Sequence, residues 1–302
     1  MLFDLNGFVV LRGVLSREEV AAANAGIDAH AERLAERRGG LRNTKDNTPL
    51  AGDMRTGRLD LGGMLGWDAP HRDVFRKMLA HPGVVPLLHE LVGHGYRLDH
   101  SPLVIAQDRG SEGFSLHGGP VDANGRLIPS LQYRCQNGGI FNTLVAVSFQ
   151  LTDHNAGDGG FCVVRGSHKM NFAASADMVN GEDREFFETC VDQPVTKAGD
   201  VVLFSEATMH GSLPWTAAFQ RRIALYRFSP CNVAYARGYS EGWPASFTDG
   251  MDEAQLGVMQ PPFHEMFDRP LLAEDGSASA DIRRRAQHKK DFDVQVFGET
   301  YY

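Results

Sequence analysis

His117, His210 and Arg221 are the residues whose types and spacing first suggest chemistry. His210 stands beside Gly211 and Ser212 after the apolar run Val201-Val202-Leu203-Phe204, and Arg221 follows eleven positions later at the head of an alternating segment that ends at Phe228. A neutral imidazole suits a divalent metal. A guanidinium on the next strand offers a forked cation to a carboxylate a few ångströms further in. His117 lies in the segment FSLHGGP, where following glycines would leave an imidazole at a cavity rim with little bulk beside it. A surface histidine and a salt-bridged arginine would be written with the same letters, so the elements that carry them matter.

Those elements read mostly as strands. Leu5 to Leu15 is a short strand, and Ser16-Arg17-Glu18-Glu19 is a capping box opening an amphipathic helix with Val20, Ile27, Ala31 and Leu34 on one face, ending at Gly39-Gly40. Leu41 to Asp68 has no clear period and reads as a long loop, a lid or binding element. Two helices are predicted at Asp73–Leu79 and Pro82–Val92. Strands follow at Tyr96–Leu98, Pro102–Gln107, Gly139–Leu151, Gly160–Val164, Gln193–Val195, Val201–Phe204 and Arg222–Phe228. A helix at Ala280–His288 and a strand at Val294–Phe297 close the chain. This pattern predicts a mainly β protein with flanking helices, a jelly roll or barrel, in a single domain over residues 1–302.

Composition sets the outer bounds. The chain has 302 residues, 42% of them hydrophobic, and a formal net charge of −8. Nothing approaches 18 uninterrupted apolar residues, and no secretory leader is visible at MLFDLNGFVV, so neither a membrane span nor export is expected. Cys135, Cys162, Cys190 and Cys231 are widely spaced, which suits a reducing, cytoplasmic setting. The acidic balance argues against nucleic acid as a partner, and Arg283-Arg284-Arg285 with Lys289-Lys290 is too short a basic run to reverse it. A small molecule is the expected partner, and oligomeric state is open.

Five segments in order carry a resemblance. NGFVVLRGVLSREEV, a His-Gly motif, LTDHNAGDGGFCVVRGSHK, GDVVLF with the following HGS, and an arginine eleven positions on resemble the phytanoyl-CoA dioxygenase family of iron(II)- and 2-oxoglutarate-dependent oxygenases. The likeness runs from Leu2 to Pro230. It implies a double-stranded β-helix (jelly roll, cupin-like), iron held by two histidines and a carboxylate, and O2 as co-reactant. It further implies His117 and His210 as iron ligands, Arg221 as the anchor for the distal carboxylate of 2-oxoglutarate, and Ser212 beside the cosubstrate. The implied reaction couples oxidative decarboxylation of 2-oxoglutarate to attack on an unactivated C–H bond.

One position departs from the family pattern. His-x-Asp is expected, but Gly119 stands two after His117. Three explanations stand at this point. Another carboxylate substitutes, with Glu206, four before His210, and Asp122 as candidates; neighbours at i and i+4 meet in a helical turn but not in an extended segment. Alternatively chloride fills the position, as in halogenases of this superfamily, or the fold is kept as a binding module without iron chemistry. His168 reads as structural, His154 as solvated, and Arg42, Arg55 and Arg58 as solvated. Arg134, Asn137 and Arg165 could face an anionic substrate or simply the surface. Trp215 and Trp243 read as core.

Overall fold

The computed structural model describes residues 1–236, 242–264, 270–282 and 285–300. In chain order its first strands are β1 (Phe8–Leu11), β2 (Ala35–Glu36), β3 (Leu59–Gly62), β4 (Arg97–Leu98), β5 (Leu103–Gln107), β6 (Phe114–His117) and β7 (Tyr133–Gln136). They continue as β8 (Gly139–Asn142), β9 (Val145–Gln150), β10 (Gly160–Val164), β11 (Val191–Asp192), β12 (Val201–Ser205), β13 (His210–Leu213) and β14 (Arg221–Ser229). The larger sheet is ordered β1-β12-β9-β14-β5-β3-β2, with β4 also on β14, and the smaller β11-β10-β13-β6. The chain crosses between sheets at β5–β6, β9–β10 and β12–β13 and returns at β14. That winding is a jelly roll.

A period of two decides what each strand presents. Along β14, Arg221, Ile223, Leu225 and Arg227 line the cavity between the sheets, while Ala224, Tyr226 and Phe228 enter the outer core. On β12, Val202 and Phe204 face inward with Phe161 and Val163 of the smaller sheet, and Val201 and Leu203 face outward. Helices that cover that outer face or its edge include α1 (Leu2–Asn6), α2 (Arg17–Asp28), α3 (His71–Lys77) and α4 (Val85–Val92). The Ser16 hydroxyl accepts from the Glu19 amide and the Glu19 carboxylate accepts from the Ser16 amide, so the capping box forms as written.

Several boundaries differ from the sequence reading. The first long helix stops at Asp28 rather than Gly39, and the chain then makes β2, which pairs with β3. The expected loop from Leu41 to Asp68 therefore carries a strand of the larger sheet, whose apolar positions are too few to show a period. Val294–Phe297 is the end of a helix, Gln287–Phe297, rather than a strand; its β-branched residues are outnumbered by polar helix formers. Ala280–His288 is not one helix: Ala278–Ile282 is a strand paired with Pro270–Leu272. Arg283 and Arg284 lie outside the described residues. The strand expected at Gln193–Val195 is instead β11, at Val191–Asp192. Among the described residues, no helix is long and apolar enough to cross a membrane.

His154 is buried, not solvated, and so are His89 and His168. Burial pushes His89 and His168 down to about 4 and His154 well below its ordinary value. All three are neutral in the fold and gain a proton near pH 6.5 when unfolded, so the unfolded state binds more protons below that pH and stability falls as pH falls. His89 and His168 each contribute up to about 1.4 kcal/mol per pH unit between the two values, and His154 acts in the same direction. Urea midpoints are therefore expected to drop steeply from pH 7 to pH 5; equal midpoints would contradict this reading.

Candidate active site

The cavity between the sheets holds the residues singled out above. His117 and His210 are direct cross-strand partners on β6 and β13, with ring centroids 4.2 Å apart. Nδ1 of His117 lies 3.0 Å from the Ser115 carbonyl, and Nδ1 of His210 lies 2.7 Å from the Thr208 carbonyl. A carbonyl only accepts, so each Nδ1 carries the proton and each Nε2 keeps its lone pair. Both rings are thus oriented by the backbone in the tautomer a metal needs.

Glu206 comes to them from the turn between β12 and β13. Thr208 N–H donates to the Ser205 carbonyl and Glu206 N–H to the Leu144 carbonyl. The turn folds residues 206 and 210 together although neither is helical. Glu206 Oε2 lies 3.6 Å from His210 Nε2, and one donor atom from each of His117, Glu206 and His210 falls within 4.8 Å of the other two. Oε1 accepts from Arg227 Nε at 2.5 Å. Burial opposes ionisation of Glu206, but charge attraction led by the Arg227 guanidinium outweighs it and holds the carboxyl down at about 2. His210 is pushed down to about 3 by burial, with His117 adding to the effect and Glu206 opposing it. His117 opens to solvent through the cavity mouth, yet protein surrounds it otherwise and lowers its pKa as well. Two neutral imidazoles and one carboxylate result, a donor set that fits a non-haem iron(II) ion. Asp122 is not among them: its carboxylate accepts from the amides of Asn124 and Arg126 within its own loop.

The glycines after His117 have separate reasons. Gly118 has φ +92°, and a Cβ there would stand 2.4 Å from the Thr208 carbonyl oxygen and 2.8 Å from that of Glu206. Gly119 has φ +100°, with Met170 Cε, at 3.5 Å, as the nearest atom to a Cβ. Space exists at Gly119 for a side chain, but the backbone conformation disfavours one. Gly119→Ala is therefore expected to cost about 1–2 kcal/mol, and Gly118→Ala more, because backbone must shift and the Glu206 turn with it. Thermal denaturation of the two variants checks the ranking.

Arg221 points into the cavity with 1% of its surface exposed. Its cross-strand partner is Gln107, whose Oε1 accepts from Nη1 at 2.7 Å, while Gln107 Nε2 donates to the Glu112 carbonyl. Nε of Arg221 is buried with no partner among the described residues, an unmet donor that fits a bound anion. Burial pushes the guanidinium down to about 9. Gly160, at φ +84°, leaves it room, since a Cβ there would meet Nε at 2.8 Å. Ser212 lines the same cavity. Arg222 faces the opposite way and binds Asp28, Asn24 and Gln220.

Other candidates are placed elsewhere. His168 bonds the Asp4 carbonyl. Arg165 pairs with Asp192, and Arg134 and Asn137 sit exposed on the β7–β8 hairpin. Trp215 is fully buried and its indole donates to the Phe219 carbonyl; Trp243 packs on the outer core. Arg58 corrects the expectation of a solvated residue, being buried and lining the cavity; Arg42 is tied to Glu112. Arg227, Gln107 and Arg37 were not legible as site residues. For the first, the signal was present: it shares the parity of Arg221 along β14.

The family profile described as phytanoyl-CoA dioxygenase (PhyH) matches residues 3–223. The chain belongs to the phytanoyl-CoA dioxygenase family. Family membership makes it an oxygenase of the iron(II)- and 2-oxoglutarate-dependent class. HygX from Streptomyces hygroscopicus, solved with nickel and 2-oxoglutarate bound, is similar in fold at 21% identity and a TM-score of 0.59, over 80% of this chain and 89% of that one. AviO1 from Streptomyces viridochromogenes Tue57 gives 21% and 0.55 over 78% and 95%. SnoN, the non-heme alpha ketoglutarate dependent epimerase from nogalamycin biosynthesis, gives 19% and 0.53 over 78% and 82%. No curated protein sequence matches the chain. In this chain Gly119 stands two positions after His117, and Glu206 lies within reach of both histidines.

Proposed function

We propose that the protein oxidises an unactivated C–H bond of a small organic molecule, hydroxylation being the leading outcome, with iron held by His117, His210 and Glu206. The observation that carries this is the mutual approach of His117, Glu206 and His210 donor atoms to within 4.8 Å. When bound, iron with 2-oxoglutarate and O2 supplies the oxidising power for the C–H bond. The chain's own part is to position and to exclude water. Nε2 of each histidine and Oε2 of Glu206 would bind the ion, while Arg227 keeps Oε1 from swinging inward. Arg221, steadied by Gln107, would take the distal carboxylate of 2-oxoglutarate, with Ser212 beside it. Phe114, Phe161, Ile105 and Leu225 keep the reacting end of the cavity apolar.

Halogenation is the second reading, since Gly119 removes the carboxylate from its family position. The Glu206 carboxylate favours oxygenation, because it supplies an anionic ligand of the protein's own. The test is succinate formation from 2-oxoglutarate with iron(II), in chloride and in chloride-free buffer. Iron-dependent succinate in both supports the reading. No succinate under either condition, or a halide seen on the metal by X-ray absorption, would overturn it.

A further inference from the structure

The cavity carries more positive charge than iron and 2-oxoglutarate account for. Four arginines line it, Arg37, Arg58, Arg221 and Arg227. Arg227 is answered by Glu206, and Arg221 is assigned above to the cosubstrate. Arg37 and Arg58 remain, and they share one carboxylate. Arg37 Nε donates to Asp60 Oδ2 at 2.7 Å, and Arg58 donates to Asp60 Oδ1 at 2.9 Å and Oδ2 at 3.1 Å.

Their placement follows from the β2–β3 pair. Ala35 faces Asp60 and Glu36 faces Leu59, so the next pair outward sets Arg37 against Arg58, joined by Arg37 N–H to the Arg58 carbonyl at 2.8 Å. Like charges opposite one another cost stability unless something anionic lies between them. Asp60 neutralises one charge, and the second is left on a pair in which Arg58 is 7% exposed and the Arg37 side chain 33%. Both guanidiniums also lie over the Phe114 ring, Arg58 Cζ at 4.9 Å from its centroid and Arg37 Cζ at 5.6 Å. Among the described residues, Nη1 of Arg58 and both Nη of Arg37 have no hydrogen-bond partner. Burial lowers the Arg58 pKa, with Asp60 opposing and Arg37 adding to the effect. From Arg37 a surface groove continues outward past Arg38, Arg42 and Arg55 with Asp46; Arg38 is paired there with Glu36 and Arg42 with Glu112, so the groove is a polar way in and the unanswered charge sits at Arg37 and Arg58.

We propose that Arg58 and Arg37 hold a carboxylate of the primary substrate, which makes the substrate class a small carboxylic acid with an apolar body. The Nη groups left over bind the carboxylate in charge-assisted bonds. The apolar part then lies along Phe114, Ile105 and Leu103, which face the same cavity. This inference rests on the reading of the cavity as an oxygenase site, and its test separates the two.

Protein loaded with manganese(II) and saturated with 2-oxoglutarate is titrated calorimetrically with straight-chain alkanoates from butanoate to decanoate and with the matching primary amides. The acid is expected to bind at least tenfold tighter than its amide at the best chain length. Arg58→Gln, which leaves Asp60 paired with Arg37, is expected to bring that ratio below threefold; Arg37→Gln reduces it less, and Arg58→Lys retains part of it. The dissociation constants of manganese(II) and 2-oxoglutarate should stay within threefold in all variants, with circular dichroism reporting the fold. No preference for acid over amide at any chain length overturns the proposal, as does a preference that survives both glutamine variants. An equal loss of 2-oxoglutarate affinity in Arg58→Gln also overturns it, by making the pair part of the cosubstrate site. Should wild type bind neither manganese(II) nor 2-oxoglutarate, the oxygenase reading of the site falls, and the acid-against-amide titration of the metal-free protein still decides the arginine pair.

Discussion

Glu206→Gln is expected to weaken iron(II) binding by about a hundredfold or more, a loss of about 2.7 kcal/mol, and to remove iron-dependent succinate formation. The amide keeps the shape of the side chain but gives up the charge that offsets the ion, in a cavity where the remaining ligands are neutral imidazoles. Arg227 would keep a hydrogen bond to the amide oxygen, so the fold is expected to persist and a metal titration with a fluorescent chelator can be read cleanly. Restoring a carboxylate at the family position tests the same idea from the other side. Gly119→Asp in the Glu206→Gln background is expected to recover little affinity, because at φ +100° an L residue is strained and the turn would have to rebuild. Wild-type iron affinity in Glu206→Gln would show that Glu206 is not an iron ligand, and would move the halide reading ahead of the carboxylate one.

Arg221→Ala is expected to raise the dissociation constant of 2-oxoglutarate by well over tenfold, in line with the roughly 2–5 kcal/mol lost when one side of a buried, hydrogen-bonded charge pair is truncated. Arg222→Ala should change it by less than threefold, since that side chain is spent on Asp28, Asn24 and Gln220 on the outer face. Calorimetry on the manganese(II)-loaded protein distinguishes them. The reverse ranking would mean that the cosubstrate enters from another side of the sheet.

What could be read from the sequence, and what could not, divides along sequence distance. β12 is legible as a local apolar run and β14 as a local alternation, and that alternation alone separates Arg221 from Arg222. The capping box at Ser16 was legible for the same reason. The sequence leaves the partnership of Glu206 with His210 conditional, because whether residues at i and i+4 meet depends on the turn conformation, and this turn is set by bonds from Thr208 to Ser205 and from Glu206 to Leu144. The last of these joins residues 62 positions apart in the sequence. Arg58 reads as solvated because the stretch around it, rich in Gly, Asp, Asn and Thr, gives no period. The strand that follows it, β3, is set by pairing with β2 and with β5 from a distant segment, and that pairing turns Arg58 inward. The C-terminal segment failed differently: four apolar-rich residues were read as a strand when an 11-residue helix runs through them.

The parity of β14 has a consequence for how this chain tolerates change in length. Arg221 and Arg227, six positions apart, both face the cavity, one assigned to each end of the chemistry. Removing or inserting a single residue between Ile223 and Leu225 would turn one of the two guanidiniums into the hydrophobic layer under the helices and expose Ala224 or Tyr226 to the cavity. Substitutions along this strand are thus graded in effect, whereas a one-codon deletion is all or nothing. A deletion scan across the protein should show its sharpest intolerance here, and much more tolerance in the hairpin of β7 and β8, which pair only with each other.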